Sequence, residues 1–198
     1  MDGYWNHNVA YHAWILRRVR RRPGDVLDVG CGYGLLAEKL AAIARSVTGI
    51  DPDSASLERA RARLADRPNA TGMLGDYLVA RFAEASFDFV VFVASLHHMD
   101  CAAALAKARA ELRPGGELIV IGVAARASFG DLAVDALRAP IARAVGLIRH
   151  EVPNSGVPTK EPTESLAQIR SIAGRIIPGH RIRRGLYYRY ILTWSKPI

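Results

Sequence analysis

The chain has 198 residues, half of them hydrophobic and 23% charged, with a net charge of +8 and a pI near 9.9. That is enough chain for one domain with a substantial core, and the composition of a soluble globular protein rather than a disordered or fibrous one. The basic balance admits a nucleic-acid partner or an acidic substrate, and equally a surface of solvated arginines, because pI alone defines no groove.

The N-terminus, Met1-Asp2-Gly3-Tyr4-Trp5-Asn6-His7, has no basic stretch followed by an apolar core, so no signal peptide is expected, and with only two unpaired cysteines a reducing cytoplasm is the expected location. Val9, Ala13, Leu16 and Val19 predict a first helix over Asn8–Arg21, stopped by Pro23-Gly24. Its end, Arg17 to Arg22, reads as a phosphate-binding patch or as a helix C-terminus whose cations suit the macrodipole. No aromatic residues interleave with these arginines as stacking platforms.

Val26, Leu27 and Val29 form a short apolar run, as a central parallel strand needs. Gly30, Gly32 and Gly34 follow, a turn able to lie close to a ligand, and Leu35, Leu36, Leu40 and Ile43 recur at helical spacing over Leu35–Ala44. A ligand on this turn is expected to meet free N–H groups at the helix start. In the dinucleotide fingerprint the third glycine comes five residues after the first. Here it comes four after, with Asp28 two residues before the first, which disfavours a nicotinamide dehydrogenase.

Ser46–Asp51 is a second strand ending in an acid able to accept hydrogen bonds from two ribose hydroxyls, while Pro52, Asp53 and Ser54 start the helix Ser54–Leu64. Ala70–Leu74 is a third strand, followed by Gly75-Asp76-Tyr77. Ser86–Ser95, apolar on both faces, is the strongest strand and runs into Leu96-His97-His98-Met99. Helix Asp100–Leu112, a tight turn at Arg113-Pro114-Gly115-Gly116 and strand Glu117–Val123 complete an alternating pattern that means a parallel, doubly wound α/β sheet. Ligands of such sheets lie beyond the carboxyl ends of the strands, where each of these candidates falls.

Beyond Ala124 the rhythm breaks. Phe129–Ile148 predicts one or two apolar helices, and Pro153–Thr159 a loop, so 124–162 reads as a lid, an interface or a surface excursion. The apolar tract Leu132–Ile148 is interrupted by Asp135, Arg138, Pro140 and Arg143 and does not read as a membrane span. Thr163 suits an N-cap for a helix through Leu166, Ile169 and Ile172 to Gly174. His180–Gly185 and Leu186–Ser195 predict an edge hairpin, with Tyr188, Tyr190, Leu192 and Trp194 alternating against Tyr187, Arg189, Ile191 and Thr193. Cys31 and Cys101 are the only cysteines and neither sits in a CxxC pair, so neither a disulfide framework nor a metal site is expected.

Asp28-x-Gly30-x-Gly32-x-Gly34, Asp51, Gly75-Asp76, the strand entering Leu96-His97-His98, and Leu112-Arg113-Pro114-Gly115-Gly116 together resemble the class I S-adenosylmethionine (SAM)-dependent methyltransferases, in their small stand-alone branch. The resemblance covers about residues 25–123. It implies a Rossmann-like, three-layer fold: a seven-stranded, mostly parallel sheet with a C-terminal antiparallel hairpin. Within one methyltransferase domain over 1–198, residues 1–24 then form a helical cap, 25–123 the SAM-binding core, and 163–198 the last helix and hairpin.

The resemblance also implies SAM over the glycine turn (Asp28, Gly30, Cys31, Gly32, Tyr33, Gly34), with its ribose on Asp51 beside Pro52. Its adenine is expected near Gly75, Asp76 and Tyr77, and its methyl group pointing toward the Ser95–His98 segment, with Ala94 and Ser95 among the cofactor-binding residues and S-adenosyl-L-homocysteine as the product. A hydroxyl acceptor needs a base, for which His97 and His98 are the candidates; both histidines are equally readable as structural. Tyr4, Trp5, His7, Tyr11 and His12 either cover the cofactor or form an aromatic packing cluster. The place after the fourth strand, Ala94-Ser95-Leu96-His97, lacks the proline pair of nucleic-acid amino methyltransferases and a Pro-Cys nucleophile. A small-molecule acceptor is therefore expected. An RNA or DNA methyltransferase using the basic surface and a non-catalytic SAM-binding protein remain the alternatives.

Overall fold

Phe89, Val90, Val91 and Phe92 can be buried on both faces only if sheet neighbours flank them and helices cover them. In the computed structural model, which describes residues 6–125, 161–187 and 189–198, all four are at most 2% exposed. They belong to β4 (Phe87–Val93), the middle of a seven-stranded sheet. On one side lie β1 (Asp25–Val29), β2 (Ser46–Asp51) and β3 (Ala70–Leu74); on the other lie β5 (Leu112–Val123), β7 (Arg189–Ser195) and β6 (Arg181–Arg184). The order is β3-β2-β1-β4-β5-β7-β6, with only β7 antiparallel to its neighbours. The strand order reverses between β1 and β4, and a doubly wound sheet opens its ligand crevice at that point, beyond the carboxyl ends.

Helices α1 (His12–Arg21), α2 (Leu35–Ala41) and α3 (Ser54–Leu64) cover one face, where Ile15, Val19, Leu36, Leu40 and Leu64 pack with Val26 and Val91. Helices α4 (Cys101–Glu111) and α5 (Leu166–Ile176) cover the other, where Leu105, Ala108, Ile169 and Ala173 meet Leu27, Val90 and Phe92. The alternation predicted for the hairpin appears as opposite faces: Tyr190, Leu192 and Trp194 enter the second cluster, Tyr187 and Ile191 the first.

Several boundaries differ from the sequence expectations. The N-terminal segment enters as a 3-10 turn, Val9–Tyr11, before α1 begins at His12, and α2 stops at Ala41. Helix α5 is capped by Ser165, not Thr163, and runs past Gly174 to Ile176. Ser165 has Gln168 three residues on, and the two form a reciprocal capping box. Arg113–Gly116 lies within β5 as a loop-out, because the pairing jumps from Phe87↔Leu112 to Phe89↔Glu117, with Gly115 at φ 72°. The predicted helices of Phe129–Ile148, the loop Pro153–Thr159, Tyr4, Trp5 and Tyr188 lie outside the described residues.

The amino end of the sheet is closed by ions. Arg45 donates to both Asp25 oxygens at 2.8 and 2.6 Å and to Asp88 at 2.9 Å. Arg113 reaches Asp88 at 2.7 Å and Asp25 at 2.9 Å, and the Asp25 amide donates to Asp88. Two arginines of the basic run dock here as well: Arg18 pairs with Glu117 at 2.6 Å and lies over Trp14, and Arg22 donates to the Gly115 carbonyl. Arg17, Arg20 and Arg21 stay exposed at the end of α1. Among the described residues no helix is long and apolar enough to cross a membrane.

Candidate functional site

The glycine turn joins β1 to α2 at the strand-order switch. Gly30, Gly32 and Gly34 all have positive φ (71°, 52° and 73°), a conformation glycine adopts without steric cost. Gly30 has a second reason: a Cβ there would lie 2.4 Å from the Cβ of Ser95, which follows β4. Ser95 is buried and its hydroxyl donates to the Val29 carbonyl at 2.5 Å, riveting β4's exit to the turn. Gly34 packs on Ala60 of α3, where a Cβ would sit 3.0 Å from the Ala60 backbone.

The amides of the turn itself are mostly used internally. Gly30 and Cys31 donate to the Ile50 carbonyl at 2.8 and 3.1 Å, Gly34 to the Cys31 carbonyl at 3.0 Å, and Gly32 to Asp51 Oδ2 at 2.8 Å. Asp51 Oδ1 accepts the Asp53 amide at 3.0 Å, while Asp53 caps α3 through the Ser56 amide at 2.8 Å. Asp51 therefore does not cap α3, as expected, and it also braces the turn. A carboxylate offers about four acceptor positions, so two remain for hydroxyl donors.

Asp28, 2% exposed on β1, is the anomaly. Its Oδ2 is buried and makes no hydrogen bond. Burial, and then the charge of Asp51, push its carboxyl up to about 7. A buried polar atom without a partner is costly, and functional sites are where such costs are tolerated. The site's shape and charge fit a ligand that carries hydroxyls and a positive charge: two acceptor positions on Asp51 and an unsatisfied carboxylate at Asp28.

The other expected residues separate. Pro52 and Asp76 are exposed and Tyr33, Gly75 and Ala94 half-buried along the carboxyl edge. Asp76 Oδ1 accepts the Leu78 amide at 2.8 Å, and Leu74 and Val79 beside it are 51% and 77% exposed apolar surface. The Tyr77 side chain instead enters the core: it is 2% exposed, edge-on to Phe92, and donates to Glu111 at 2.8 Å. Lys107 pairs with Glu111 at 2.8 Å and donates to the Ala80 carbonyl at 2.7 Å, so α4 holds the 76–80 loop at two points. The Cys31 thiol is buried against Gly49 rather than facing outward, and burial raises it far above the ordinary thiol range. Both cysteines are free.

His97 and His98 lie in a 3-10 turn, Leu96–His98, with ring centroids 4.3 Å apart. Only His97 lines the neighbouring cleft, shared with Leu96, Cys101, Val123, Glu164, Ile169 and Tyr190; His98 is exposed. Glu164, Cys101 and Tyr190 carry no site motif, and the sequence placed none of them in a site. They meet only because β5, β7 and α5 converge there; the Tyr190 ring lies across Gly122, where a Cβ would come within 2.2 Å of it. At the N-terminus, Tyr11 donates to the Leu186 carbonyl at 2.6 Å, His7 stacks on Tyr187 at 4.6 Å, and His12 is buried with Lys39 Nζ 3.5 Å from its Nδ1. These contacts make the aromatic group a packing cluster that ties the N-terminus to the hairpin. Among the described residues no cluster of histidine, cysteine or acid could hold a metal ion.

A protein of Mycobacterium tuberculosis described as an uncharacterised methyltransferase is 35% identical over 202 residues, spanning all of both chains. The chain belongs to the class I SAM-dependent methyltransferases. A methyltransferase-domain profile matches residues 26–116 of it. The fold is shared with a putative SAM-dependent methyltransferase of Methanococcus maripaludis (TM-score 0.66, 20% identity, 96% of this chain and 87% of that one). It is also shared with a phosphoethanolamine N-methyltransferase of Haemonchus contortus, solved with phosphomonomethylethanolamine and S-adenosylhomocysteine (TM-score 0.68, 17% identity, 98% and 53%). SAM is therefore the cofactor of this methyltransferase, and the donor set of Asp28 and Asp51 suits its sulfonium and ribose.

Proposed function

We propose that this methyltransferase acts on a small molecule by in-line displacement, with SAM held along the carboxyl edge from Asp76 past Asp51 and Asp28 to Ser95. The single observation that carries the reading is the alignment of these residues: they leave four adjacent strands, β3, β2, β1 and β4, in spatial order at the switch point. Asp51 accepts from the ribose hydroxyls, and the exposed Leu74 and Val79 beside Asp76 give the adenine an apolar wall. SAM supplies an already activated methyl group. The protein's work is then to align the acceptor and exclude water.

The acceptor enters through the cleft bounded by Leu96, Val123, Ile169 and Tyr190. For a hydroxyl acceptor His97, which lines the cleft, takes the proton, and His98 does not.

Calorimetric titration with SAM and, separately, NADH tests the cofactor site, with Asp51→Ala as control. SAM binding that the substitution weakens about 100-fold, the cost of losing two charge-assisted hydrogen bonds, supports the reading; NADH binding overturns it. A mass-spectrometric screen of hydroxyl, amine and carboxylate acceptors then names the acceptor, and His97→Ala against His98→Ala separates the two histidines.

A further inference from the structure

Asp28 and Asp51 lie on adjacent strands at the same end of the sheet, and the protein treats them differently. Asp51 accepts two backbone amides, whereas Asp28 Oδ2 is buried with no donor at all. No protein cation answers it: among the described residues the one charge that bears on Asp28 is the negative charge of Asp51. The groups on the elements packed around it are otherwise engaged. On α2 and α3, Glu38 pairs with Arg63 at 3.0 Å. Lys39 lies against His12 of α1, and burial holds that imidazole neutral, down to about 3. In the turn, the Cys31 thiol is buried and protonated. The fold has buried a carboxylate oxygen here that no donor among the described residues satisfies.

Resting on the reading of this edge as the SAM site, we propose that Asp28 is a charge gauge for the cofactor: it keeps a proton while the site lacks a cation, releases it to solvent when a sulfonium binds, and so distinguishes SAM from its neutral thioether product. The physical basis is that burial and Asp51 place the Asp28 carboxyl at about 7, where either form is accessible near neutral pH. A nearby positive charge lowers it, so binding of a cation and release of a proton are linked. After transfer the sulfonium is gone. The carbon–sulfur electron pair stays on sulfur, the acceptor's nucleophilic atom gains the methyl group and loses its proton, and Asp28 recovers a proton from solvent. The electrostatic hold on the cofactor is thereby cancelled at the step where product has to leave.

The test is calorimetry of the full chain with SAM and with S-adenosylhomocysteine from pH 5.5 to 8.5, repeated in buffers of different ionisation enthalpy to count protons. The SAM dissociation constant should fall roughly eightfold between pH 5.5 and 6.5 and level off above about 7.5, with about 0.9 proton released per SAM at pH 6. S-adenosylhomocysteine should show a flat profile and almost no proton release. Asp28→Asn, the same shape as protonated Asp, should flatten the SAM profile. A pH-independent SAM affinity overturns the proposal. So do equal slopes for the two ligands, which mean that their shared ammonium is sensed, and so does a slope that survives in Asp28→Asn, which assigns it to another group. If the variant does not fold, the two-ligand comparison on the natural protein decides alone. Absence of binding by either ligand overturns the SAM reading together with the gauge, an outcome distinct from binding without a pH slope.

Discussion

Asp25 and Asp28 stand three residues apart on one short strand, and their surroundings are opposite. Asp25, at the amino end, is gripped by Arg45, Ser46 and Arg113, whose hydrogen bonds hold its carboxyl well below the usual range. Asp28, at the carboxyl end, has a buried oxygen without a partner and a second carboxylate for a neighbour. The same residue type closes the sheet at one end and leaves it electrostatically open at the other. At the closed end Asp25, Asp88 and Glu117 are all paired with arginines; the open end has the glycine turn, the exposed apolar rim and the cleft. Charge pairing and the proposed ligand site are thus segregated along a strand of five residues.

The largest expected effect comes from removing the open end's charge. Asp28's folded carboxyl is raised above the unfolded value, so the native state holds the extra proton between about pH 4 and pH 7, and stability falls as pH rises through that window. Asp28→Asn should therefore stabilise the ligand-free protein, by up to about 4 kcal/mol above pH 7 and by little at pH 4. Denaturant melts at the two pH values check this. Asp25 slopes the other way: its depressed carboxyl contributes stability that is present above about pH 4 and lost as pH falls through its folded value. A protein whose two β1 aspartates gave the same sign of pH dependence would break the comparison.

At the closed end, Asp88 accepts from the Asp25 amide, Arg45 and Arg113 together. Asp88→Ala leaves the amide without its acceptor and should cost about 1–3 kcal/mol. The melting temperature should drop while the SAM dissociation constant stays put. Asp51→Ala should do the reverse, abolishing tight SAM binding with a modest shift in melting. A cofactor defect in Asp88→Ala would mean that the two ends are not separable.

The strands and the glycine turn were legible because they are local: apolar runs, three glycines at alternate positions and acids at strand ends. So were the helices within the described residues, to within about a turn, and Ser54–Leu64 to the residue. What the sequence hid depends on residues far apart in the chain. Gly30 reads as a ligand-approach glycine, and it is also the space that Ser95 occupies. Tyr77 reads as a rim residue because it follows Asp76, but Glu111, 34 positions on, draws its hydroxyl into the core. Asp28 belongs to a recognisable motif, yet its raised carboxyl comes from its burial and from Asp51 on another strand. Glu164 and Tyr190 had no local pattern to reveal them, since the cleft exists only once β7 has inserted between β5 and β6.

The smallest predicted effect probes how stiffly the open end is held on its acceptor side. Helix α5 starts there, with Ser165 and Gln168 closing a capping box and the Ala125 amide donating to the Glu164 carbonyl at 2.8 Å. Ser165→Ala removes the cap and should cost about 1 kcal/mol. Because Glu164 lines the cleft and Asp51 lies strands away, the consequence should fall on acceptor KM, raised several-fold, and leave SAM affinity unchanged. Thermal melts with acceptor kinetics measure both. Loss confined to melting would place Ser165 with the stabilising features of the closed end, and would mean that the open end tolerates movement of α5 without reshaping the cleft.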